Sequence, residues 1–384
     1  MRKTAWFFNL FLAVTLAMII PRFAPGRGEL DFIKYWSASR LFIQRQNPFD
    51  SQAQLELQLE TRPDLGLKEG DIYETWNPPW LLLLISPLAA LPFDLAVPLW
   101  VVLNVLLITL SMICSWKLAG GSTQTVEFLY VLAAAFLAGS VITIIRIGQV
   151  SALVLLSITA GLWLLRKQKE FLAGVLFFFT SIKPHLVFLI VATLFIWAIR
   201  SRKWRFFLGM ATVGALSLLA AWIIYPGWLQ AYLSRMENMP YQAIYTSTFG
   251  SLFELLFGWN FIKYIGILLL LLTIPLAKLF KQDDLGASNL ALAVTLPFAP
   301  YGFNFDQILL LPAIAQIIFW VTHHQLSHQN SRAVIIGFAL IYLLQFWLMT
   351  IKELPYSWFF IVSFLLMLLY LFSWRVKRVS VKTA

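Results

Sequence analysis

Thirteen apolar runs, each close to the length of a membrane-crossing helix, recur along this 384-residue chain, at 5–20, 79–92, 94–116, 126–145, 150–165, 171–183, 184–199, 205–225, 260–279, 286–299, 305–321, 332–350 and 356–374. A helix needs about 20 apolar residues to cross the hydrocarbon core of a bilayer. A barrel would need strict alternation of apolar and polar residues, and the runs carry none. With 60% hydrophobic residues, 12% charged residues and a mean hydropathy of +0.78, the chain is far more apolar than a soluble core requires. The fold class that follows is an all-α polytopic membrane protein, one integral domain over 1–384, with about 12–14 crossings.

Charge then orients the bundle. The basic clusters Arg166–Lys169, Arg200–Arg205, Lys278–Lys281 and Arg375–Lys382 are separated by even numbers of spans, so all of them belong on the cytoplasmic face. Their position beside apolar runs explains the net charge of +11 without nucleic acid. Parity conflicts only between 79 and 149, where either Gly139-Ser140 breaks the 126–149 segment into two short halves or a nearby segment is re-entrant. The run at 5–20 follows Met1-Arg2-Lys3 without a convincing small-x-small cleavage site, and it is expected to stay as a helix. Cys114 is the single cysteine, which excludes an intrachain disulfide and a cysteine-type metal site.

This orientation makes two loops exoplasmic, 23–78 and 226–258, the second carrying Arg235, Glu237, Tyr241 and Tyr245. Nine of the 18 acidic residues fall between Arg22 and Asn77, so any acid–base chemistry concentrates there. Phe32, Tyr35, Trp36, Leu41 and Phe42 recur at helical spacing, Pro48 stops the pattern, and a second helix follows around Ala53–Glu60. Both are expected to be amphipathic helices lying on the outer membrane surface.

Asp31, about ten residues beyond the first span, reads in two ways: as the first-turn cap of the surface helix, or as a carboxylate able to take a proton from an acceptor hydroxyl. Lys183 in "TSIKPHL" lies where two apolar spans meet on the outer side, as a snorkelling lysine or as a cation for a lipid-borne phosphate. Arg146 in "IIRIGQVSA", with Gln149 beside it, has the same two readings, and His185 and Asp306 stand near the same face. No phosphate-cradling glycine loop, zinc-binding HExxH or nucleophile elbow is present, and Asp283-Asp284 lie on the cytoplasmic side. Neither a metal nor a cofactor is expected.

Five stretches occur in an order that resembles glycosyltransferase family 87, membrane enzymes of the GT-C type that include polyprenol-phosphate-mannose-dependent mannosyltransferases. They are "LDFIKYWSASRLFIQRQNPFD", "WNPPWLLLLISPLAALP", "RIGQVSALVLLSITAGLWLLRKQ", "SIKPHLVFLIVATLFIWAIRSRKWR" and "APYGFNFDQILLLPAI", and the likeness runs from about residue 5 to about 320. The resemblance implies transfer of a sugar from a polyprenyl phosphate to a lipid or glycan hydroxyl on the exoplasmic side of the cell membrane, with inversion and with Asp31 as general base. It implies Lys183 as a donor-phosphate contact and Gln149 and Asp306 as substrate contacts; beside these, Arg146 is assigned as a second phosphate contact and Tyr35, His185 and Asn304 as further substrate contacts. Two positions depart from the family pattern: Tyr301-Gly302-Phe303-Asn304 replaces a histidine-containing stretch, and Pro48-Phe49-Asp50 replaces "PYD". The first leaves the sugar open between mannose and another hexose. A transporter or flippase for a lipid-linked or polar solute, with ionisable residues in mid-span, and a non-catalytic scaffold are the competing readings.

Overall fold

The apolar runs within the described residues become helical segments, because each supplies a long stretch of apolar side chains with few charges. A computed structural model describes residues 30–63, 74–237, 246–351 and 354–382, and among them no strand occurs. The expected first span at 5–20 lies outside the described residues, as do Tyr241 and Tyr245.

The chain begins with α1 (Leu30–Ile43) and α2 (Ser51–Thr61), where Asp50 caps α2 by accepting the Ala53 N–H at 3.0 Å. Helix α3 (Pro79–Ala89) opens on a proline at its first position, which is pre-set for helix and needs no amide partner there. Next come α4 (Phe93–Ala119), α5 (Val126–Leu137) and α6 (Gly139–Ile147). Ala138 between α5 and α6 is extended, at φ −65° and ψ 128°, and the two axes bend by 58°. The expected break at Gly139-Ser140 is therefore present. Helices α7 (Ser151–Arg166), α8 (Glu170–Phe178), α9 (Pro184–Arg200), α10 (Trp204–Ile224) and α11 (Trp228–Glu237) follow, with a 3-10 turn at Phe179–Ile182 after α8. The remainder is α12 (Phe249–Phe257), α13 (Thr273–Phe280) after a 3-10 stretch at Asn260–Leu272, α14 (Asp284–Phe298), α15 (Leu311–Thr322) after a 3-10 stretch at Asn304–Leu310, α16 (His328–Thr350) and α17 (Phe360–Lys382).

Among the described residues six helical segments are long and apolar enough to cross a membrane, seven if the bent α5–α6 pair is one span. Four shorter apolar helices, α3, α7, α8 with its 3-10 turn, and α9, account for further runs that had been expected to cross. Burial separates two kinds of span. The 304–322 segment is 83% buried and forms an interior element, whereas α10 is 11% buried and turns Leu208, Leu216, Trp222 and Ile223 outward. Apolar surface on that scale is tolerated against lipid, not water.

The described residues cluster into two compact units, the first within 1–107, 144–150 and 210–241, the second within 108–143, 151–209 and 242–384. In the first unit α1 packs on α3. Trp36 Nε1 donates to the Leu91 carbonyl at 3.2 Å and Arg40 to the Ala89 carbonyl at 2.9 Å, so α1 satisfies the free carbonyls where α3 ends. Phe32 stacks between Phe93 and Trp100, and Ala38, Phe42, Phe49, Leu82, Ala221 and Trp228 form one apolar cluster.

This packing corrects one expectation. Phe32, Tyr35, Trp36, Leu41 and Phe42 were expected against the bilayer surface, but all of them are buried in protein, as are Ser37, Ala38 and Ser39 between them. Small residues on the second face let neighbouring backbones approach closely, so α1 is enclosed on both sides.

In the second unit, α7 fixes the direction of the polar clusters. Arg166 at its end grips Asp284 with two N–H donors, Nε at 2.8 Å from Oδ2 among them, and also bonds the Leu118 carbonyl. Ser151 stands at its other end. Sixteen residues of helix separate them by about 24 Å, most of the hydrocarbon thickness. Two clusters assigned to the cytoplasm, at Arg166 and near Asp284, thus meet at one end of this unit. A buried polar set holds its interior: Gln316 Oε1 accepts from Asn289 at 2.8 Å and from the Tyr370 hydroxyl at 2.6 Å.

Candidate functional site

Each unit carries one cluster of the residues singled out in the sequence. In the first unit Asp31 lies in the opening turn of α1, and both of its oxygens are engaged by side chains. Lys34, one turn on, forms an ion pair with Oδ1, and Gln149 Nε2 donates to Oδ2 at 2.9 Å. The helix-cap reading of Asp31 therefore gives way to one in which its side chain serves a polar cluster. The cluster is partly open: the Asp31 side chain is 15% exposed and that of Lys34 18%.

Gln149 is held from behind. Its Oε1 accepts the Tyr35 hydroxyl at 2.8 Å and the Val150 N–H at 2.9 Å, which fixes the amide so that only its N–H₂ end faces Asp31. Tyr35 and Gln149 are both buried. Gly148 sets the approach. It follows α6 in the left-handed region at φ 73°, and a Cβ there would lie 2.6 Å from the Cβ of Phe32. Its carbonyl accepts from Trp100 Nε1 at 2.8 Å, so α1, α4 and the turn after α6 are tied together beside Gln149. Arg146, in the last turn of α6, is exposed, and among the described residues no hydrogen bond or ion pair engages its guanidinium.

A second tie in the same unit joins the 23–78 and 226–258 segments. Arg235 on α11 pairs with Glu74, donates to Ser51 Oγ at 3.0 Å and lies 3.9 Å over the Trp76 ring. Burial pulls its guanidinium down to about 10, which leaves it charged at neutral pH. From Ser51 the linkage continues along α2 to Gln58, whose Nε2 donates to Ser37 on α1 at 3.1 Å.

In the second unit Lys183 and Asp306 form a buried ion pair, Nζ to Oδ1 2.7 Å, with side chains only 9% and 3% exposed. Ser151 completes it. Its hydroxyl donates to Asp306 Oδ1 at 2.6 Å and accepts from Lys183 Nζ at 2.9 Å, while the Phe303 N–H donates to Oδ2 at 3.0 Å. Lys183 comes here because it immediately precedes Pro184, the first residue of α9, and its ammonium also lies 4.8 Å from the Phe305 ring centre. His185 stands edge-on to Tyr301, their ring centres 5.4 Å apart, with its Nε2 buried and without a hydrogen-bond partner among the described residues. Asn304 is buried and turned to the backbone, its Oδ1 accepting the Phe305 N–H at 3.0 Å.

The structure thus brings Asp31, Tyr35 and Gln149 together in one unit, and Lys183 and Asp306 in the other. Sequence reasoning missed Lys34, Ser151 and Gly148. The i, i+3 spacing of Asp31 and Lys34 was a usable signal for the first. Nothing local marked Ser151, whose partners lie 32 and 155 residues away.

With this geometry in hand, the chain was compared with known proteins. The model of glycosyltransferase family 87 matches residues 75–301, more than half of the chain. The matched region takes in Arg146, Gln149, Lys183 and His185 and stops short of Asp31, Tyr35, Asn304 and Asp306. No curated protein matches the chain.

Proposed function

Because this chain belongs to glycosyltransferase family 87 and is a membrane glycosyltransferase, we propose that it moves a sugar from a polyprenyl phosphate to a lipid or glycan hydroxyl at the exoplasmic face, with inversion. The observation that carries the reading is Asp31: a carboxylate partly open and aimed by a locked glutamine. In the proposed step the acceptor oxygen attacks the anomeric carbon as its proton passes to Asp31. The bond from that carbon to the donor phosphate breaks with its electron pair on the phosphate oxygen. Every atom is then accounted for: the glycosidic bond, a protonated Asp31 and free polyprenyl monophosphate.

Cations are needed where charge grows on the leaving phosphate. Arg146 and Lys183 are the residues assigned, and they differ in readiness. Arg146 is exposed, while Lys183 already faces a buried carboxylate and would contribute through a neutral pair. Tyr35, Gln149, His185, Asn304 and Asp306 complete the assignment as substrate-side groups, with mannose or another hexose as the sugar. No metal or cofactor is required by these residues.

One feature favours this reading over a transporter. Arg146 and Lys183 stand at helix ends, the last turn of α6 and the residue before α9, whereas a transport pathway calls for ionisable groups within spans. The test supplies purified protein with an acceptor lipid and either a polyprenyl-phosphate sugar or a nucleotide sugar. Release of polyprenyl monophosphate in step with glycosylated product supports the proposal. Product formed only from the nucleotide sugar refutes it.

A further inference from the structure

Among the described residues each oxygen of Asp31 already accepts one hydrogen bond, which narrows the directions from which an acceptor hydroxyl can approach, and the two occupants are not equally fixed. Gln149 is buried, and its far oxygen holds the Tyr35 hydroxyl and the Val150 N–H at 2.8 and 2.9 Å. Moving it would break its bonds to the Tyr35 hydroxyl and to the buried Val150 N–H together. Lys34 is held differently. Its side chain is 18% exposed, on a four-carbon stem with several rotatable bonds, and among the described residues its further contact is a 5.2 Å approach to the Tyr35 ring.

Of the two groups covering Asp31, Lys34 is therefore the one that can leave. An ammonium leaves a carboxylate when another anion receives it, and the reaction delivers one: the phosphate of the lipid donor. Lys183, the other lysine near a candidate site, is unsuited to this exchange, since it is buried with Asp306 and Ser151 and has only half the exposure of Lys34.

Building on Asp31 as general base, we propose that Lys34 is a donor-phosphate contact that covers Asp31 in the empty enzyme and uncovers it when the donor binds. Donor arrival and activation of the base become one event. The acceptor hydroxyl then meets a carboxylate whose Oδ2 is still aimed by Gln149 and whose Oδ1 is open. After transfer the proton rests on Asp31, and Lys34 accompanies the departing phosphate until it dissociates. An empty enzyme keeps its base covered and so does not spend it on water.

The test is binding of polyprenyl monophosphate to the full chain in phosphatidylcholine nanodiscs, with phosphatidate as the comparison probe. Lys34→Gln should weaken polyprenyl monophosphate binding about 10- to 100-fold, the worth of one charged hydrogen bond, and Lys34→Arg should restore most of it. Asp31→Asn frees Lys34 from its internal partner, so it should bind the probe more tightly than the wild type. The double variant should fall to the level of Lys34→Gln. Unchanged binding by Lys34→Gln, or no tightening by Asp31→Asn, overturns the proposal, as does an equal loss of phosphatidate binding, which would mark a contact to any anionic lipid. Unfolding midpoints of the variants separate binding loss from misfolding. Failure of the base assignment is a different result: Asp31→Asn would then transfer sugar, whatever Lys34→Gln does to binding.

Discussion

At the scale of single residues, two carboxylate–lysine pairs of the same composition serve different ends because of where they lie. Asp31–Lys34 joins neighbouring turns of one helix at a partly open position, where an ion pair is weak and exchangeable. Lys183–Asp306 is sealed, with Ser151 and the Phe303 N–H meeting the remaining polar demand of Asp306. Removing one partner of a buried pair leaves an uncompensated charge, at a cost of about 3–5 kcal/mol. Asp306→Ala should therefore lower the unfolding midpoint in detergent sharply, and adding Lys183→Met should recover much of the loss. Equal stability of Asp306→Ala and wild type would show that the pair is solvated after all. Gln149 lends itself to a finer test. Gln149→Glu keeps an oxygen for Tyr35 and Val150 but sets a second carboxylate against Asp31. It should cut turnover more than Gln149→Ala if aiming Asp31 is its role, and no more than Gln149→Ala if it only fills space.

At the scale of elements, the turn after α6 positions the cluster, and glycine is required there on two counts. Gly148 combines φ 73° with an approach to Phe32 too close for a Cβ. The left-handed backbone alone costs an L-residue about 1–2 kcal/mol. Gly148→Ala should lower activity and loosen α1, read as faster amide exchange over 31–43. Unaltered exchange in that window would mean the turn does not hold α1.

Much at this scale was legible: the helix starts at Pro79 and Pro184, the stop before Asp50 and the break near Gly139 all follow from local chemistry. The two-sided burial of α1 was not. Nothing local marked Ser37, Ala38 and Ser39 as buried, and only the packing of α3 and α2 shows them to be sites of close approach. The joining of Ser151, Lys183 and Asp306 was equally hidden, since pairing over such separations leaves no mark in local spacing.

At the scale of the whole molecule, the claim is a membrane glycosyltransferase with an orientation set by basic clusters. Orientation has its own test. Cys114 is the single cysteine, so in a Cys114→Ser background a cysteine at Arg202, before α10, and one at Gln230, after it, report the two sides of that span. An impermeant maleimide should label position 230 in intact cells and position 202 only after permeabilisation; the reverse pattern would invert the assignment. The most direct measurement of the central claim is single-turnover sugar transfer from a polyprenyl-phosphate donor by Asp31→Asn in nanodiscs, beside wild type. The account predicts a rate lower by about 10²–10⁴, the contribution typical of a general base, in a variant that still folds and binds donor. Transfer at the wild-type rate would contradict it.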